Sequence, residues 1–368
     1  MKKRRVFIYA AIILLICEAL TGCRSNTNNS LQLKETFDMK AALNVVDTYM
    51  NYMIKGQVAN AEKLYSEDLL KSQVKTQDKD LKIFGYNLAD SNQVGKSGIF
   101  TLNISRTNTG KPFASLDQYS LKVIKKDHEY KISEIKSIVQ EEAFIYKNKI
   151  RMKSKDKADT KLIMSFRSFP GYVFSKDDKA SIDKLPVPRR NVGILNFSYE
   201  GNMLAVTTCD SNCYIGVINI DQSLAVQGGQ DAQGQGDGGT AGGGMEDESE
   251  SDSIVEVPIG QEIVTLDLLK GGRVDFMEFS KDEKFLAVQY SNAQVDNCIR
   301  MYKVDGGDMI DYKFEEKFPL DKVSIVFSSF DDDILNFDVI AKKSQDMSLS
   351  NVIGKWQLDL KSFEAVRM

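Results

Sequence analysis

The chain has 368 residues, with 48 Lys and Arg against 52 Asp and Glu, so its formal net charge is −4. That balance, with no Lys/Arg block beyond the N-terminus except at 147–157, excludes a nucleic-acid footprint. Hydrophobic residues at 42% fill the cores of about two ordinary domains, while one His and 5 Cys exclude His-rich zinc sites and a disulfide-stapled scaffold.

Met1-Lys2-Lys3-Arg4-Arg5 is basic, and Val6 to Cys17 is an apolar run of 12 residues. About 20 are needed to span a bilayer. A basic start and a short apolar run form an export signal. It ends in Leu20-Thr21-Gly22-Cys23, which resembles the bacterial lipobox, with Glu18 as a mild departure. The resemblance implies cleavage before Cys23 and a diacylglyceryl group on its thiol. The expected layout is a lipoprotein signal peptide at 1–22 and a polar, Asn- and Ser-rich tether at 23–36. The mature chain is then expected on the extracytoplasmic face of the bacterial cell membrane, held through the lipid on Cys23.

Residues 38–55 carry a helical period, with Ala42, Val45, Val46, Tyr49 and Met53 on one face, Asp38 as N-cap and Gly56 as stop. A second helix is expected over 58–71, burying Ala61, Leu64, Tyr65 and Leu69. The period then changes to two. Phe100, Leu102 and Ile104 alternate with polar residues, as do Tyr119, Leu121 and Val123. Gly95-Lys96-Ser97 reads as a turn between strands, since the first Gly of a phosphate loop is missing at Asp90. The run from Leu121 to Ile132 resembles the last hairpin of the nuclear-transport-factor-2-like family. Over 37–140 the resemblance implies an α+β cone, two helices on a curved antiparallel sheet. That family includes enzymes and non-catalytic modules, so it implies a pocket and no particular reaction.

The polar, Lys-rich stretch at 141–160 is read as a linker, and 161–368 as an all-β domain. A strand-turn-strand unit repeats there. Phe279-Ser280-Lys281-Asp282-Glu283-Lys284-Phe285-Leu286 is echoed by Phe197-Ser198-Tyr199-Glu200-Gly201-Asn202-Met203-Leu204 and, more weakly, by Phe327-Ser328-Ser329-Phe330 with Ile334. The last two copies start 48 residues apart and the first two 82 apart. The excess matches the Gly/Gln-rich and acidic stretch at 221–253, read as a disordered insert, so the period fits a propeller blade of about 40–50 residues. Third strands are expected at 214–220, 299–304 and 352–358. Tyr302 and Trp356 stand at the Trp position of a WD repeat, whereas Lys303 and Gln357 replace its Asp. The region resembles a degenerate WD-type or Tol-type propeller of three to four blade-like units. An irregular antiparallel sandwich, an open stack, and closure through a second chain stay open as alternatives. The partial echo Phe174-Ser175-Lys176-Asp177 lies too close to Phe197 for a full blade.

No catalytic, cofactor or metal-binding residue can be assigned from these motifs. Gly234-Gln235-Gly236-Asp237-Gly238-Gly239 lacks the strand and helix that would aim its amides at a phosphate. The acidic run at 246–252 reads as a solvated loop. His128 falls in a hairpin turn. Cys209 and Cys213 flank Asp210-Ser211-Asn212, so two readings stand: a cross-strand disulfide, or small side chains packed in strands beside the aligned Cys298. Lipid attachment at Cys23 is the one site the sequence names. The expected function is a lipid-anchored extracytoplasmic binding or adaptor protein without catalysis, with a protein or cell-envelope partner and no nucleic acid. The rival is a cell-envelope hydrolase using carboxylates at the propeller mouth or in the cone pocket.

Overall fold

The computed structural model describes residues 37–72, 80–178, 180–224, 256–343 and 349–368. The expected signal and tether, Cys23, the motif at 234–239, the acidic run at 246–252 and most of the 221–253 insert lie outside these residues. Asp38–Met368 is one compact unit.

Helix α1 spans Met39–Ile54, and Asp38 caps it by accepting from the backbone N–H of Lys40 and Ala41. Its buried stripe is Ala42, Val46, Tyr49 and Met50. Val45 and Met53, expected on that stripe, are half-buried at its margins. The expected second helix is two short ones, α2 (Val58–Glu62) and α3 (Glu67–Lys71). The break has a hydrogen-bonding cause. Ser66 donates its N–H to Ile132 O, and Ile132 donates back to Leu64 O, each at 2.8 Å. Ser66 then caps α3 through its side chain.

Six strands follow: β1 (Leu81–Val94), β2 (Ser97–Asn108), β3 (Phe113–Lys126), β4 (Glu129–Tyr146), β5 (Lys149–Ser154) and β6 (Thr160–Ser165). They pair antiparallel in chain order. Phe100, Leu102, Ile104, Leu121 and Val123 are buried as the alternation predicts. Asp127 and His128, at φ 50° and 70°, form the exposed β3–β4 turn. The segment 141–160 is not a linker. It holds the end of β4, all of β5 and the start of β6. Lys147 and Asn148, at φ 45° and 57°, make a two-residue hairpin turn, and buried Ile150 and Met152 alternate with lysines and arginine beyond it. The expected start of the second region at 161 likewise falls inside β6 of this sheet.

A small hairpin, β7 (Tyr172–Phe174) with β8 (Lys184–Pro186), leads into three serial antiparallel sheets. The first contains β9 (Val192–Phe197), β10 (Met203–Cys209), β11 (Asn212–Ile220) and β12 (Gly260–Lys270). The second contains β13 (Gly272–Phe279), β14 (Phe285–Asn292) and β15 (Cys298–Lys303). The third contains β16 (Val323–Asp331), β17 (Ile334–Ala341), β18 (Gly354–Asp359) and β19 (Ala365–Arg367). The described chain is therefore mostly β. The echo at Phe174 belongs to the separate β7–β8 hairpin, and the fourth strand of the last sheet is β19. In the second sheet a fourth strand is reduced to one bridge, Tyr302 to Met309. Ile220 and Gly260, which flank the long stretch between β11 and β12, are direct register partners. Cys209 and Cys213 are opposite each other in register and joined as a disulfide, while Cys298 is free and buried.

The repeat has a chemical basis. In the first two sheets the Phe pairs with the Leu seven residues on, Phe197 with Leu204 and Phe279 with Leu286, and all four are fully buried. The following Ser closes the turn. Ser198 and Ser280 each accept, at Oγ, the backbone N–H five residues later, from Met203 at 3.2 Å and Phe285 at 3.0 Å. The third copy departs from this. Phe327 pairs with Phe337 and Phe330 with Leu335, so Ile334 is not the partner of Phe327. A bulge between Phe327 and Ser329 and a shorter turn at Asp332 and Asp333 account for the change.

Charged side chains tie the sheets together. Arg300 on β15 donates to Asp267 of β12 at 2.9 Å, to Asp177 at 2.6 Å and to Glu315 at 2.6 Å. Glu315 lies in the single turn of helix α4 (Phe314–Lys317). The Tyr302 hydroxyl donates to Asp267 at 2.8 Å, so the aromatic at the Trp position is held by a carboxylate from the preceding sheet rather than by its own neighbour Lys303. Burial opposes the Arg300 charge, but Tyr302, Glu315, Tyr290 and Asp267 outweigh it and raise its pKa.

Two outcomes follow for unfolding in urea. Phe279→Ala should lose about 3–5 kcal/mol through the lost transfer energy and the residual cavity. Arg300→Met should lose a comparable amount, about 3–5 kcal/mol, because Asp267 is then a buried charge with no cation. An unchanged midpoint in either variant contradicts the packing described.

Candidate functional site in the groove between the curved sheet and the repeat turns

The repeat turns of the first two sheets meet the six-stranded sheet along one line. On that sheet, Ser105 pairs with Leu116, Leu116 with Glu141, and Glu141 with Ser154. Cross-strand partners share a face, so these four side chains form one row across β2 to β5. Strand β9 lies against β2 and β3. Its Asn196 accepts at Oδ1 from Ser105 and, at 3.0 Å, from Thr107, and donates from Nδ2 to Met277 O at 2.9 Å.

Where the β9–β10 turn leaves this contact, two cavities open side by side. The first, about 400 Å³, is lined by Asn103, Leu116, Gln140, Glu141, Ser154 and Gln222, with Lys155 and Lys157 at its side. The second, about 300 Å³, is lined by Asn87 of β1 and by both repeat turns, including Asn202, Lys281, Asp282 and Glu283. Glu200 lines both, so the two cavities are neighbours along one groove with a shared wall. Each falls in or near the roughly 300–1,000 Å³ range of small-molecule sites. Gly201 makes the close approach of turn to sheet feasible. At φ 72°, it is left-handed, and a Cβ there would lie 2.9 Å from Glu141 Oε2 and 3.0 Å from Leu116.

Electrostatics in the groove are mixed. Burial raises the Glu141 pKa, against the hydrogen bond from Gln222 and the charge of Lys161. Glu283 is raised by burial too, and its carboxylate accepts the Glu200 N–H at 2.8 Å. Lys281 sits 4.7 Å over the Tyr86 ring, whose hydroxyl donates to Asp47 at 2.9 Å. Its carbonyl accepts from Asn87 Nδ2 at 3.1 Å. Lys281 therefore joins the turn of the second sheet to β1 and, through Tyr86, to α1.

Beneath the groove lies Glu278 of β13, 2% exposed. Tyr199 donates its hydroxyl to one oxygen, and Asn196 Nδ2 lies 3.4 Å from the other. Burial pushes its carboxyl up to about 8 despite these donors. A Cβ at Gly85 on β1 would collide with this carboxylate and with the Tyr199 hydroxyl, so only glycine fits where β1 crosses the pair.

None of the groove residues could be singled out from sequence motifs. Glu141 and Ser154 fell in the stretch read as a linker, and the signal that would have found them is the alternation around Lys147-Asn148. Glu200 and Asp282 were legible as repeat turns, but not as neighbours of the sheet. His128 lies in the β3–β4 turn, and of Gly95-Lys96-Ser97 the first two form the β1–β2 turn while Ser97 begins β2. Among the described residues, no group of three His, Cys, Asp or Glu side chains is placed to hold a metal ion.

No protein-family profile matches this sequence, and no curated protein matches it. Among solved structures, a puromycin hydrolase overlaps at a TM-score of 0.30 and 8% identity, over 76% of this chain and 46% of its own. The Swd1 β-propeller domain of Myceliophteria thermophila overlaps at 0.25 and 7% identity, over 70% and 100%. TolB from Acinetobacter baumannii overlaps at 0.16 and 11% identity, over 68% and 75%. The chain spans about half the length of the puromycin hydrolase chains it matches. Likenesses of this size carry no argument about activity.

The Glu278 carboxyl predicts a pH dependence of stability. Its folded pKa is raised, so between about pH 4.5 and 8 the folded protein holds a proton that the unfolded chain has lost. This group's contribution therefore declines as pH rises, by about 1.4 kcal/mol per unit at most, and levels off above about pH 8. In urea titrations from pH 5 to 9, Glu278→Gln should lack that component. Parallel wild-type and variant curves would contradict the assignment.

Proposed function

We propose that the protein is a lipid-tethered extracytoplasmic binding module, without catalysis, that takes its ligand in the groove between the curved sheet and the repeat turns. The observation that carries this reading is the shared wall at Glu200. Two cavities of about 400 and 300 Å³ flank it, lined by polar side chains from β1 to β5 and from two repeat turns. A site at the junction of packed units is where ligand clefts preferentially occur. In this reading the first region is a cone-like α+β module. The serial sheets are a partial propeller whose open side the cone covers. Leu20-Thr21-Gly22-Cys23 supports the tether. Two acyl chains on Cys23 supply stable anchoring, which one chain does not, at about 0.8 kcal/mol per buried methylene.

The rival hydrolase reading is favoured by one feature: Glu141, kept protonatable by burial, faces the same compartment as Glu200. The binding reading is preferred because one Glu141 oxygen already accepts from Gln222 and the other is closed off beneath the Gly201 turn.

Two experiments test the proposal. Fatty-acid analogue labelling should mark the wild-type protein and not Cys23→Ser; equal labelling, or none in wild type, removes the tether. A diazirine amino acid placed at Lys157, beside the groove, should give a discrete adduct mass on irradiated intact cells. The same group at Lys355 on β18 should not. No adduct at 157, or equal adducts at both positions, removes the groove as the binding site.

A further inference from the structure

Of the Phe, Tyr and Trp side chains among the described residues, only Tyr146 and Tyr172 are exposed, at 55% and 64%. Both lie on one rim of the molecule, built from three segments bonded side by side. The β4–β5 turn meets the 3₁₀ turn Phe166–Ser168 through Phe166 N–H to Asn148 O at 3.1 Å, and Lys149 is the register partner of Ser165. Beyond that turn, Gly171 O accepts from Val187 N–H at 3.0 Å and Tyr172 pairs with Pro186. Arg189 Nε donates to Pro170 O at 3.4 Å.

The same rim is cationic. Residues 143–155, 160–176 and 184–199 contain no Asp or Glu, in a chain whose net charge is −4. Lys147, Lys149, Arg167 and Arg189 are exposed there, and none of the four forms an ion pair among the described residues. Glu256, a carboxylate on which the Lys149 charge acts, is already held by two nitrogens of Arg151. Lys147 lies 5.5 Å over the Tyr146 ring, so charge and aromatic ring share one position.

Clustered cations without carboxylates attract an anionic surface. The tyrosines narrow its kind. A dissolved polyanion engages the cations and leaves both rings in water. The headgroup layer of a bilayer takes both groups, since Tyr rings settle at that level and Lys and Arg lie against anionic lipids. No other large apolar side chain of the three segments is exposed, so the contact stays among the headgroups.

We propose that this rim is a second membrane contact, through which Lys147, Lys149, Arg167, Arg189 and the two tyrosines rest the module on an anionic lipid surface. It is separate from the groove, and the lipid on Cys23 serves it only by keeping a bilayer close. The lengths are compatible. The Asp38 N–H donates to Tyr130 at the start of β4, and the rim lies at the far end of that strand of 18 residues. At about 3.4 Å per residue, β4 is about 58 Å long at most. The chain from Cys23 to Phe37 reaches about 46–50 Å when extended, and any tilt of β4 lowers the height to be spanned, so both contacts fit one bilayer.

The test uses the chain from Arg24, which keeps the compact unit Asp38–Met368 and carries neither signal nor lipid. Its outcome is independent of fatty-acid labelling at Cys23, which judges the tether alone. The chain is floated with vesicles of phosphatidylcholine, and with vesicles of equimolar phosphatidylglycerol and phosphatidylcholine. It should float with the second and not the first, and high salt should release it. Each Lys or Arg near an anionic surface contributes about fivefold in partition, so Lys147→Gln with Lys149→Gln should lose about twentyfold or more. Tyr146→Ser with Tyr172→Ser should weaken flotation and leave binding to dissolved polyphosphate unchanged. Lys322→Gln with Lys355→Gln, on the third sheet, should change neither. All these side chains are exposed, and an unchanged urea midpoint checks that each variant is folded. Flotation with both vesicles alike or with neither, or unchanged partition in the lysine variant, overturns the proposal. Flotation untouched by the tyrosine changes assigns the rim to dissolved polyanions. Flotation gained only after removal of residues 246–252 assigns it to the chain's own acidic run. Either result also overturns the membrane contact.

Discussion

A single amide fixes how three sheets meet. Asn196 is fully buried, and both ends of its side chain are engaged. Its oxygen takes the hydroxyls of Ser105 and Thr107 from the curved sheet, and its nitrogen donates to Met277 in the next sheet. Thr107 also donates to the Leu195 carbonyl at 2.8 Å. Shape alone lets two apolar sheet faces slide over each other; a satisfied buried amide does not, since any shift strands a polar group. With Asn196 locked, β9 stands at one height on β2 and β3. The turn that follows it then reaches Leu116 and Glu141, and the groove exists as a consequence.

Arg300 does the same work farther along the chain, but with charge in place of an amide. Three carboxylates from β12, α4 and the segment after β7 converge on one guanidinium. Such a cluster is a weak source of net stability, because desolvation offsets the attraction. Its effect is on arrangement. Asp267 has no exposed side-chain surface, and it accepts from the Lys176 and Leu268 backbone as well as from Arg300 and Tyr302. The second sheet, one strand short of its neighbours, has its β15 edge met by the segment at 308–310, through the bridge at Met309 and the backbone bonds Lys303 N–H to Asp308 O and Ile310 N–H to Met301 O.

Much of this architecture was legible in the sequence, and the reasons for the exceptions are specific. The α1 cap at Asp38, the alternation in β2 and β3, and the Phe-Ser turns depend on neighbours a few residues apart, which a linear pattern displays. The break between α2 and α3 depends on Ile132, more than 60 residues away, and no local signal announces it. The stretch 141–160 reads as linker because its exposed face is lysine-rich, although its other face is β-patterned. The third repeat misleads because a bulge shifts its register, so the matching residues by count are not the matching residues in space. Of the groove, the two turns were visible as motifs. What they face was not, because it is set by Asn196 and Gly85, residues whose composition carries no hint of their contacts.

The groove also has a history within each molecule. Its walls come from chain segments far apart: Asn87 meets the carbonyl of Lys281 across 194 residues, and Ser105 meets Asn196 across 91. Contacts of such separation form late and slowly, because loop-closure entropy must be met before they add any stability. The curved sheet is made of neighbours in sequence, but its Ala114, Leu116, Ala143, Ile150 and Met152 pack in one core with Leu195, Phe197 and Leu204 of the next sheet. The groove needs the turns at Glu200 and Asp282 docked in their final places. It is therefore a property of the docked fold, and a fragment that ends before Lys281, Asp282 and Glu283 lacks a wall of its second cavity.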